Sequence, residues 1–380
     1  MCIGPAIGGI EHSLHLVISI HPRLVNIPAP LLCWTPEMGG SDDHARRKPS
    51  LPWTVRVQLA ALALVHRRDG SVRRLLFSLG DLKSGTTSRP GASGVRSADV
   101  TIDASRGLWA RVFSPSSGAD ADAAAAPVPV VVYFHGGGFV LFSAASRPYD
   151  AFCRRLCRGL RAVVVSVNYR LAPGHRFPAA YDDGVAALRY LDANADSLPA
   201  HVPVDLSSCF LAGDSAGGNI THHVAQRWAV AAVSPTNLRV AGAVLIQPFF
   251  GGEERTAAEV ALDGASALSV AATDHFWKEF LPEGATRDHE AARVCGEGVK
   301  LADAFPPAMV VVGGFDLLKD WQARYVEALR GKGKPVWVVE YPDAVHGFHV
   351  FPELTDSGKF VEEMKLFVQE HKSTNTKRAV

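Results

Sequence analysis

One short stretch constrains the fold of this chain more than any other: Gly213-Asp214-Ser215-Ala216-Gly217-Gly218-Asn219. The apolar run before it, Cys209 to Ala212, predicts a buried strand, and the residues after it, to about Ala231, predict a helix. A sharp turn between a strand and a helix strains its central residue, and flanking glycines avoid Cβ clashes there. Such a turn exposes the Ser215 hydroxyl beside a helix N-terminus, which favours negative charge. By itself the stretch fits either a reactive serine or a glycine turn with a capping serine.

Short apolar runs alternate with helical patterns over most of the remaining chain. The predicted buried strands are Val128–Phe134, Ala162–Val167, Cys209–Ala212, Val240–Ile246, Met309–Val312 and Val336–Val339. The predicted helices among and after them include Tyr149–Leu160, Pro178–Leu191, Lys319–Arg330 and Thr355–Glu370. This alternation predicts an α/β fold with a mostly parallel central sheet and helices on both faces. Alternating polarity from Val100 to Val112 adds two antiparallel strands.

The composition argues against several classes of protein. A formal net charge of +1 gives no indication of a nucleic-acid or polyanion partner. No stretch stays apolar for the roughly 18 residues that a membrane-spanning helix needs. The six cysteines are scattered, without the paired motifs of zinc sites, and this pattern favours a reducing compartment. Cys153 and Cys157 lie one helical turn apart and are predicted to be apolar core thiols.

The two ends of the chain and one internal segment differ from the α/β pattern. Residues 1–50 are predicted to form a disordered extension, with Met38 as a second candidate start. Residues 51–375 are predicted to be one domain, followed by a tail at 376–380. Within the domain, residues 53–66 and the cluster at 75–77 predict two helices ahead of the sheet. Residues 251–305 interrupt the alternation at a strand end, so they are predicted to form a cap over the site.

A second glycine-rich stretch, His135-Gly136-Gly137-Gly138-Phe139, directly follows the strand that ends at Phe134. Three successive glycines let the backbone approach a ligand closely and present its N–H groups inward. Together with the amide of Ala216, those of Gly137 and Gly138 are the predicted donors to an oxyanion. With two glycine-rich turns at neighbouring strand ends, the reactive-serine interpretation is favoured.

A serine nucleophile needs a base, and that base needs an acid to orient it. Asp316 ends the strand after Met309 and is the predicted acid, with Asp320 as the alternative. His346 follows the next strand and is the predicted base, with His349 as the alternative and His371 in a polar tail. The expected chain order is therefore nucleophile, acid and base.

Other residues near these motifs are predicted to have supporting roles. Phe139, Asp214 and Phe348 are predicted to contact substrate, and Asp214 is expected mainly to brace the turn at Ser215. Phe249 and Phe250 are expected to add to an apolar pocket. Three further histidines, His135, His222 and His223, are predicted to be structural, because no carboxylate–histidine pattern indicates a metal.

Together these motifs resemble those of the plant carboxylesterases in the hormone-sensitive-lipase-like branch of the α/β-hydrolases. The matching segments are His135–Phe139, Asn168–Pro173, Gly213–Asn219, Gly313–Asp316 and Asp343–Phe348. The resemblance extends from about Trp53 to Phe367. One departure is Gly174, where the family usually has Glu, and it leaves the three predicted catalytic residues in place.

The resemblance implies an α/β-hydrolase fold and a cytoplasmic enzyme, with a nuclear location also open. It implies hydrolysis of small carboxylic esters through a Ser-His-Asp triad and an acyl-enzyme, without metal or cofactor. The expected partner is a small-molecule ester, and neither nucleic acid nor membrane is expected. It also implies that residues 51–96 contain an N-terminal lid, formed by Trp53 to about Leu79, over the pocket.

Two other groups within the same family leave alternatives open. Gibberellin receptors look very similar, including the lid, but lack the catalytic histidine, whereas this chain has His346. Dehydratases acting on hydroxyisoflavanones keep the scaffold and the oxyanion loop. A hormone binder that hydrolyses its ligand slowly is a further alternative that the resemblance allows.

Overall fold

The computed structural model describes residues 49–90, 93–116, 126–231, 236–296 and 298–373. Their strands are β1 (Val95–Asp103), β2 (Leu108–Pro115), β3 (Val128–Phe134), β4 (Val163–Asn168), β5 (Val204–Asp214), β6 (Val240–Ile246), β7 (Ala308–Phe315) and β8 (Val336–Val345). Their α-helices are α1 (Trp53–Leu64), α2 (Arg74–Gly80), α3 (Arg147–Leu160), α4 (Ala179–Asn194), α5 (Ala216–Ala231), α6 (Ala257–Ala261), α7 (Val270–Phe280), α8 (Lys319–Gly331) and α9 (Thr355–His371). Short 3-10 turns occur at Ala104–Arg106, Ala195–Ser197 and Phe348–Val350.

The strands form one sheet in the order β1-β2-β4-β3-β5-β6-β7-β8. β2 is antiparallel to both β1 and β4, and the strands from β4 across to β8 are parallel. The predicted mostly parallel α/β fold is therefore confirmed. The carboxyl ends of the parallel strands meet at one edge of the sheet. Two segments lie at that edge: the glycine loop (His135–Phe139) after β3 and the elbow (Gly213–Asn219), which joins the end of β5 to the start of α5.

Side chains of the central strands alternate between two apolar layers. On β3, Val130, Val132 and Phe134 belong to the layer that includes α4, α5 and α8. Val131 and Tyr133 belong to the opposite layer, with α3 and α9. Strands covered on both faces have continuous apolar sequences, which is why apolar and polar residues do not alternate along β3.

The segment that contains α1 and α2 contacts α7, which lies between β6 and β7. The ring of His66, just after α1, meets Phe276 of α7 edge to face, with centroids 5.5 Å apart. Arg74 of α2 pairs with Glu279 of α7 at 3.2 Å. Within the described residues, no helix has the length and apolar character needed to cross a membrane.

The predicted elements differ from the observed ones mainly at their ends. β8 continues past its apolar run to Val345 because it is an edge strand whose outer positions face solvent. Similarly, β5 begins at Val204, before its fully buried part. Cys153 and Cys157 are free, buried thiols, as predicted. The predicted extension at 1–50 lies outside the described residues, apart from its last two positions.

Candidate active site

The elbow passes from β5 into α5 with a single residue, Ser215, between them. Ser215 has a φ of +52°, in the left-handed region that side-chain-bearing residues seldom occupy. Its amide donates a hydrogen bond to the carbonyl oxygen of Ile246 at 2.9 Å, which fixes the turn to strand β6. A Cβ at Gly217 would lie 1.9 Å from the carbonyl oxygen of Phe134, so only glycine fits there. The elbow therefore holds Ser215 in one strained position at the start of a helix.

The glycine loop brings two more backbone amides to the same place. Gly137 and Gly138 have φ values of +106° and +60°. A Cβ at Gly138 would lie 2.3 Å from the ring of Phe276, so the loop passes directly against helix α7. Both glycines line the cavity that also includes Ser215. Their amides and that of Ala216, the first residue of α5, are the candidate oxyanion donors.

Asp214 joins the elbow to the glycine loop. Its carboxylate accepts hydrogen bonds from the Gly136 amide at 2.9 Å and from the hydroxyls of Tyr133 and Tyr149 at 2.6 and 3.0 Å. Burial raises the pKa of Asp214 to about 6, while the three hydrogen bonds and the charge of His346 act in the opposite direction. Asp214 lies on the cavity wall. Both of its oxygens already accept hydrogen bonds from the protein. Asp214 therefore acts as a brace, a residue that holds the elbow and the glycine loop together.

The predicted acid and base lie side by side beyond β7 and β8. His346 Nδ1 is 2.9 Å from Asp316 Oδ2. Asp316 is fully buried and also accepts hydrogen bonds from the Leu318 amide at 3.0 Å and from Gln322 Nε2 at 2.9 Å. An ionised carboxylate only accepts hydrogen bonds, so the proton shared with Asp316 belongs to Nδ1 of His346. The lone pair of Nε2 is then available as a base, and His346 lines the same cavity as Ser215.

Opposing influences set the pKa of His346. Burial lowers it, because the imidazolium would lose its hydration. The charge of Asp316, its hydrogen bond to His346 and the charge of Asp214 raise it. The net result is a pKa above the ordinary value of 6.5, which favours a histidine that accepts a proton during reaction.

The alternative acid and bases lie outside this group. Asp320 is in the first turn of α8 and accepts a hydrogen bond from the Ala258 amide at 2.8 Å. His349 is fully buried against Phe152, and burial lowers its pKa well below 6.5. His371 bonds to a carbonyl oxygen of its own helix α9 at 2.9 Å. These three residues do not line the cavity beside the elbow.

Three other histidines have structural partners. His135 stacks on Tyr169 with ring centroids 4.4 Å apart, and burial lowers its pKa to about 4. His222 Nδ1 lies 2.9 Å from the hydroxyl of Tyr325. His223 donates to a carbonyl oxygen at 3.2 Å. Over the part of the chain that the structure describes, no group of three or more His, Cys, Asp or Glu is placed to hold a metal ion.

An apolar cavity of about 520 Å³ lies over the elbow. Its floor includes Ser215 and His346, and its walls come from α1, α2, α7 and the glycine loop. Leu59, Phe77 and Phe276 are among its apolar wall residues. Helices α1 and α2 therefore border the space in which a ligand of Ser215 would lie.

Two predicted substrate contacts, Phe139 and Phe348, lie away from the cavity. Phe139 is fully buried and stacks on Phe280 of α7 with ring centroids 3.6 Å apart. Its φ is +63°, and its ring lies in the core against Trp277 and Phe280 of α7. Phe348 is fully buried in the layer with α3 and α9, on the opposite face of the sheet. Phe249 and Phe250 are likewise core residues that do not line the cavity.

Two glutamines that the sequence analysis missed hold the acid and base in place. Gln247 donates a hydrogen bond to the Val345 carbonyl at 3.2 Å and accepts one from the Gly347 amide at 2.8 Å. It therefore holds the backbone on both sides of His346. Gln322 donates to the acid from within α8. A polar residue directly after strand β6 was a usable signal for Gln247. Nothing in the sequence around Gln322 distinguishes it from other helix residues.

A serine on a strand–turn–helix elbow, a glycine loop on the neighbouring strand and an Asp–His pair at two later strand ends define an α/β-hydrolase. The chain belongs to this family, since the family profile for the alpha/beta hydrolase fold matches residues 131–350. That range includes both glycine-rich segments and the Asp–His pair.

Known proteins of two kinds are similar to this chain. A gibberellin receptor of Arabidopsis thaliana is 40% identical over 318 residues, covering 81% of this chain and 90% of the receptor. Carboxylesterase 20 of the same plant is 35% identical over 303 residues, covering 77% of this chain and 90% of the relative. The solved structure of a hyperthermophilic esterase from the archaeon Pyrobaculum calidifontis has a TM-score of 0.66 and 29% identity, covering 84% of this chain and 98% of the esterase.

Proposed function

We propose that this chain is a serine carboxylesterase that hydrolyses small carboxylic esters. The observation that carries the proposal is the 2.9 Å contact between His346 Nδ1 and Asp316 Oδ2 at a cavity that also includes Ser215. Binding alone requires no base oriented by a buried carboxylate, whereas ester hydrolysis by a serine does. Esterases and carboxylesterases among the similar proteins support the same reaction class.

In the first half of the proposed reaction, Ser215 Oγ attacks the ester carbonyl carbon. His346 Nε2 takes the hydroxyl proton, and Asp316 stabilises the imidazolium that forms. The carbonyl oxygen becomes an oxyanion, which the amides of the glycine loop and Ala216 stabilise by about 3–4 kcal/mol for each effective donor. The carbon–oxygen bond to the alcohol then breaks, and His346 returns the proton to the departing oxygen.

The second half of the proposed reaction releases the acid. Water attacks the acyl carbon of the Ser215 ester while His346 Nε2 takes one of its protons. A second oxyanion forms in the same donor set and collapses with cleavage of the bond to Ser215 Oγ. His346 then gives its proton back to the serine, so enzyme charge and protonation are restored. Apart from the water that is consumed, the groups that act in each step belong to this chain.

The cavity supports a small, largely apolar substrate. Its volume of about 520 Å³ matches a small molecule rather than a polymer, and α1 and α2 form much of its outer wall. An apolar lining strengthens the hydrogen bonds to an oxyanion because it excludes water.

A second candidate function is a small-molecule receptor of the gibberellin type. Relatives named as gibberellin receptors are 37–40% identical to this chain, and α1 and α2 border the cavity as a receptor lid would. His346 favours the enzyme, because the receptor group of this family is expected to lack that histidine. A dehydratase on the same scaffold is the remaining alternative, and it would also use the glycine loop.

Hydrolysis of p-nitrophenyl acetate and butyrate by the full chain tests the proposal. We expect turnover by the wild type and a loss of at least about 10³-fold in kcat for Ser215→Ala and for His346→Ala. His371→Ala is a matched histidine control in the C-terminal helix and should stay within about 2-fold of wild type. A burst of p-nitrophenol equal to the enzyme concentration would show the acyl-enzyme directly.

Two other outcomes would each support one of the alternative functions. A wild type without esterase activity that binds a gibberellin in calorimetry would support the receptor and contradict the esterase. A wild type that removes water from a hydroxyisoflavanone, with no release of p-nitrophenol from either ester, would support the dehydratase. In both cases the His346→Ala variant shows whether this histidine contributes to the observed activity.

A further inference from the structure

Exposed apolar side chains are concentrated on one surface of the described part of the chain, which is called the outer face here. Seven of the ten large hydrophobic residues that are exposed there lie between positions 53 and 82. Positions 53, 57 and 64 are spaced by four and seven residues and positions 75 and 79 by four, so each set lies on one side of its helix. The outer face consists of Trp53, Val57 and Leu64 on α1 and Leu75, Leu76, Leu79 and Leu82 on and after α2.

The same two helices are also apolar on the side that faces the protein. Leu62 of α1 and Phe77 of α2 line the cavity over the elbow, and helical geometry places them roughly opposite the outer face. The Arg73 amide donates a hydrogen bond to the Val65 carbonyl at 2.8 Å, which ties the end of α1 to the start of α2. A helix that is apolar on all sides is typical of one that is covered on all sides. The outer face is therefore expected to meet a second apolar environment.

The segment that carries the outer face is strongly basic. Between positions 53 and 83 it has six arginine or lysine residues and two aspartates, a net charge of +4, whereas the whole chain has a net charge of +1. Arg74 pairs with Glu279 at 3.2 Å, and Lys83 pairs with Asp81. The other four basic residues are exposed and form no ion pair with another described residue; they are Arg56, Arg67, Arg68 and Arg73. Exposed tryptophan and leucine beside unpaired arginines are typical of helices that lie on a lipid surface.

We propose that the outer face docks on the surface of a bilayer that contains anionic phospholipids. Trp53 and the exposed leucines enter the boundary between head groups and acyl chains, and the unpaired arginines bind the anionic head groups. With 12 residues, α1 lies on such a bilayer and does not cross it. This inference goes beyond the proposed esterase function and does not depend on it. It departs from the sequence-based expectation that the chain has no membrane partner.

The charge and the shape of the outer face disfavour other occupants. A symmetric contact between two copies would bring two segments of net charge +4 together, and their repulsion opposes it. The side chains of Trp53, Leu75 and Leu79 are 76%, 76% and 72% exposed, so they protrude and do not line a groove. A groove is what a bound peptide needs, whereas a bilayer accepts side chains that protrude.

Co-sedimentation of the full chain with vesicles tests the inference. The probes are vesicles of phosphatidylcholine with about 30% phosphatidylserine and vesicles of phosphatidylcholine alone. We expect the partition coefficient to be at least about 10-fold larger for the anionic vesicles, and to fall by at least about 5-fold between about 0.05 and 0.5 M NaCl. Ser215→Ala should bind the vesicles as the wild type does, so the result does not depend on whether the chain is an esterase.

Two double variants assign the binding to the outer face. Leu75→Gln with Leu79→Gln should lower the partition coefficient by at least about 10-fold, and Arg56→Gln with Arg68→Gln by at least about 5-fold on anionic vesicles. Val260→Gln with Leu366→Gln is the matched control, because these residues are exposed and apolar but lie on α6 and α9. This control should stay within about 2-fold of wild type. Urea unfolding of all variants checks that these exposed substitutions leave the fold intact.

Three results would overturn the inference. The first is a wild type that does not bind the anionic vesicles, or binds both kinds of vesicle equally. The second is unchanged binding by the leucine double variant. The third is a dimer in analytical ultracentrifugation that the leucine double variant dissociates, since the outer face would then be covered by a second copy of the chain.

Discussion

The Gly136 amide donates a hydrogen bond to the Asp214 carboxylate at 2.9 Å, and this bond joins the glycine loop to the elbow. Two tyrosine hydroxyls, from Tyr133 and Tyr149, complete the environment of the same carboxylate. The distance between Ser215 and the candidate oxyanion donors therefore depends on a buried acid that does not itself react. Catalysis by positioned donors is sensitive to displacements of about 1 Å, so this brace has consequences for rate.

Asp214→Ala should impair both catalysis and stability. We expect kcat for p-nitrophenyl butyrate to fall by about 10- to 100-fold with a smaller change in KM, because the glycine loop loses its hydrogen bond to the elbow. The variant also removes the Asp214 acceptor from two buried hydroxyls, those of Tyr133 and Tyr149, while the Gly136 amide keeps the Tyr149 oxygen as an acceptor. The free energy of unfolding, measured with urea, should therefore fall by about 2–4 kcal/mol.

Tyr133→Phe provides the matched control for the brace. It removes one donor to Asp214 and leaves the bond from Gly136 in place. We expect a stability loss of about 1 kcal/mol and a kcat within about 3-fold of wild type. If Asp214→Ala kept the wild-type kcat, the brace would be structural only.

The pH dependence of hydrolysis should report the environment of His346. The base must be neutral to take the serine proton, and the pKa of His346 is raised above 6.5 by the carboxylate of Asp316. The acidic limb of kcat/KM should therefore have its midpoint above pH 6.5. In Asp316→Asn the charge is gone and burial, which lowers the pKa, remains. The limb should move to lower pH while the plateau falls by about 10²- to 10⁴-fold.

Asp320→Asn distinguishes the two candidate acids. Asp320 bonds to the Ala258 amide and is not in contact with His346 in the structure. We expect this variant to leave both the midpoint and the plateau of the pH profile close to those of wild type. A shifted midpoint in Asp320→Asn, with an unchanged one in Asp316→Asn, would reverse the assignment.

Gly138→Ala tests the close approach of the glycine loop to α7. A Cβ at this position would lie 2.3 Å from the ring of Phe276, and the φ of +60° disfavours a side chain. The loop must move, so we expect kcat to fall by about 10²- to 10³-fold, as for loss of an oxyanion donor. Initial rates at saturating p-nitrophenyl butyrate measure this effect.

A second substitution separates the clash from the backbone strain. Phe276→Ala makes room for the new methyl group and leaves the strain in place. If the clash dominates, the double variant should recover at least about 10-fold in kcat relative to Gly138→Ala alone. Equal loss in the single and double variants would show that the backbone conformation, not the ring, excludes a side chain here.

The sequence predicted the sheet and the strand-end residues because both depend on local patterns. Continuous apolar runs mark strands covered on two faces, and glycine-rich turns mark positions where a Cβ cannot fit, as at Gly217. Parallel strands place their carboxyl ends together, so the sequence positions of Ser215, Asp316 and His346 were sufficient to predict a shared edge. The contact between His346 and Asp316 then follows from two neighbouring strands, β7 and β8.

Features that depend on packing were not available from local patterns. Phe139 and Phe348 stand beside predicted catalytic motifs, yet their rings enter the two core layers because of the turns on which they lie. The cavity wall instead uses Leu59 and Phe77 from helices more than a hundred residues earlier in the chain than Ser215. Which side chain of such helices faces the site is decided by their contacts with α7, and one sequence contains no signal for that choice.

Gln247→Ala should lower the rate without weakening substrate binding. Gln247 accepts a hydrogen bond from the Gly347 amide and donates one to the Val345 carbonyl. It therefore fixes the residue before His346 and the residue after it. Without it we expect kcat to fall by about 10-fold at nearly constant KM, because the imidazole is less often aligned with Ser215. Gln247→Glu keeps the acceptor for the Gly347 amide but places a carboxylate oxygen next to the Val345 carbonyl oxygen. We therefore expect its kcat to lie between those of Gln247→Ala and wild type. Wild-type kcat in Gln247→Ala would show that the bond from His346 to Asp316 is sufficient to hold the base.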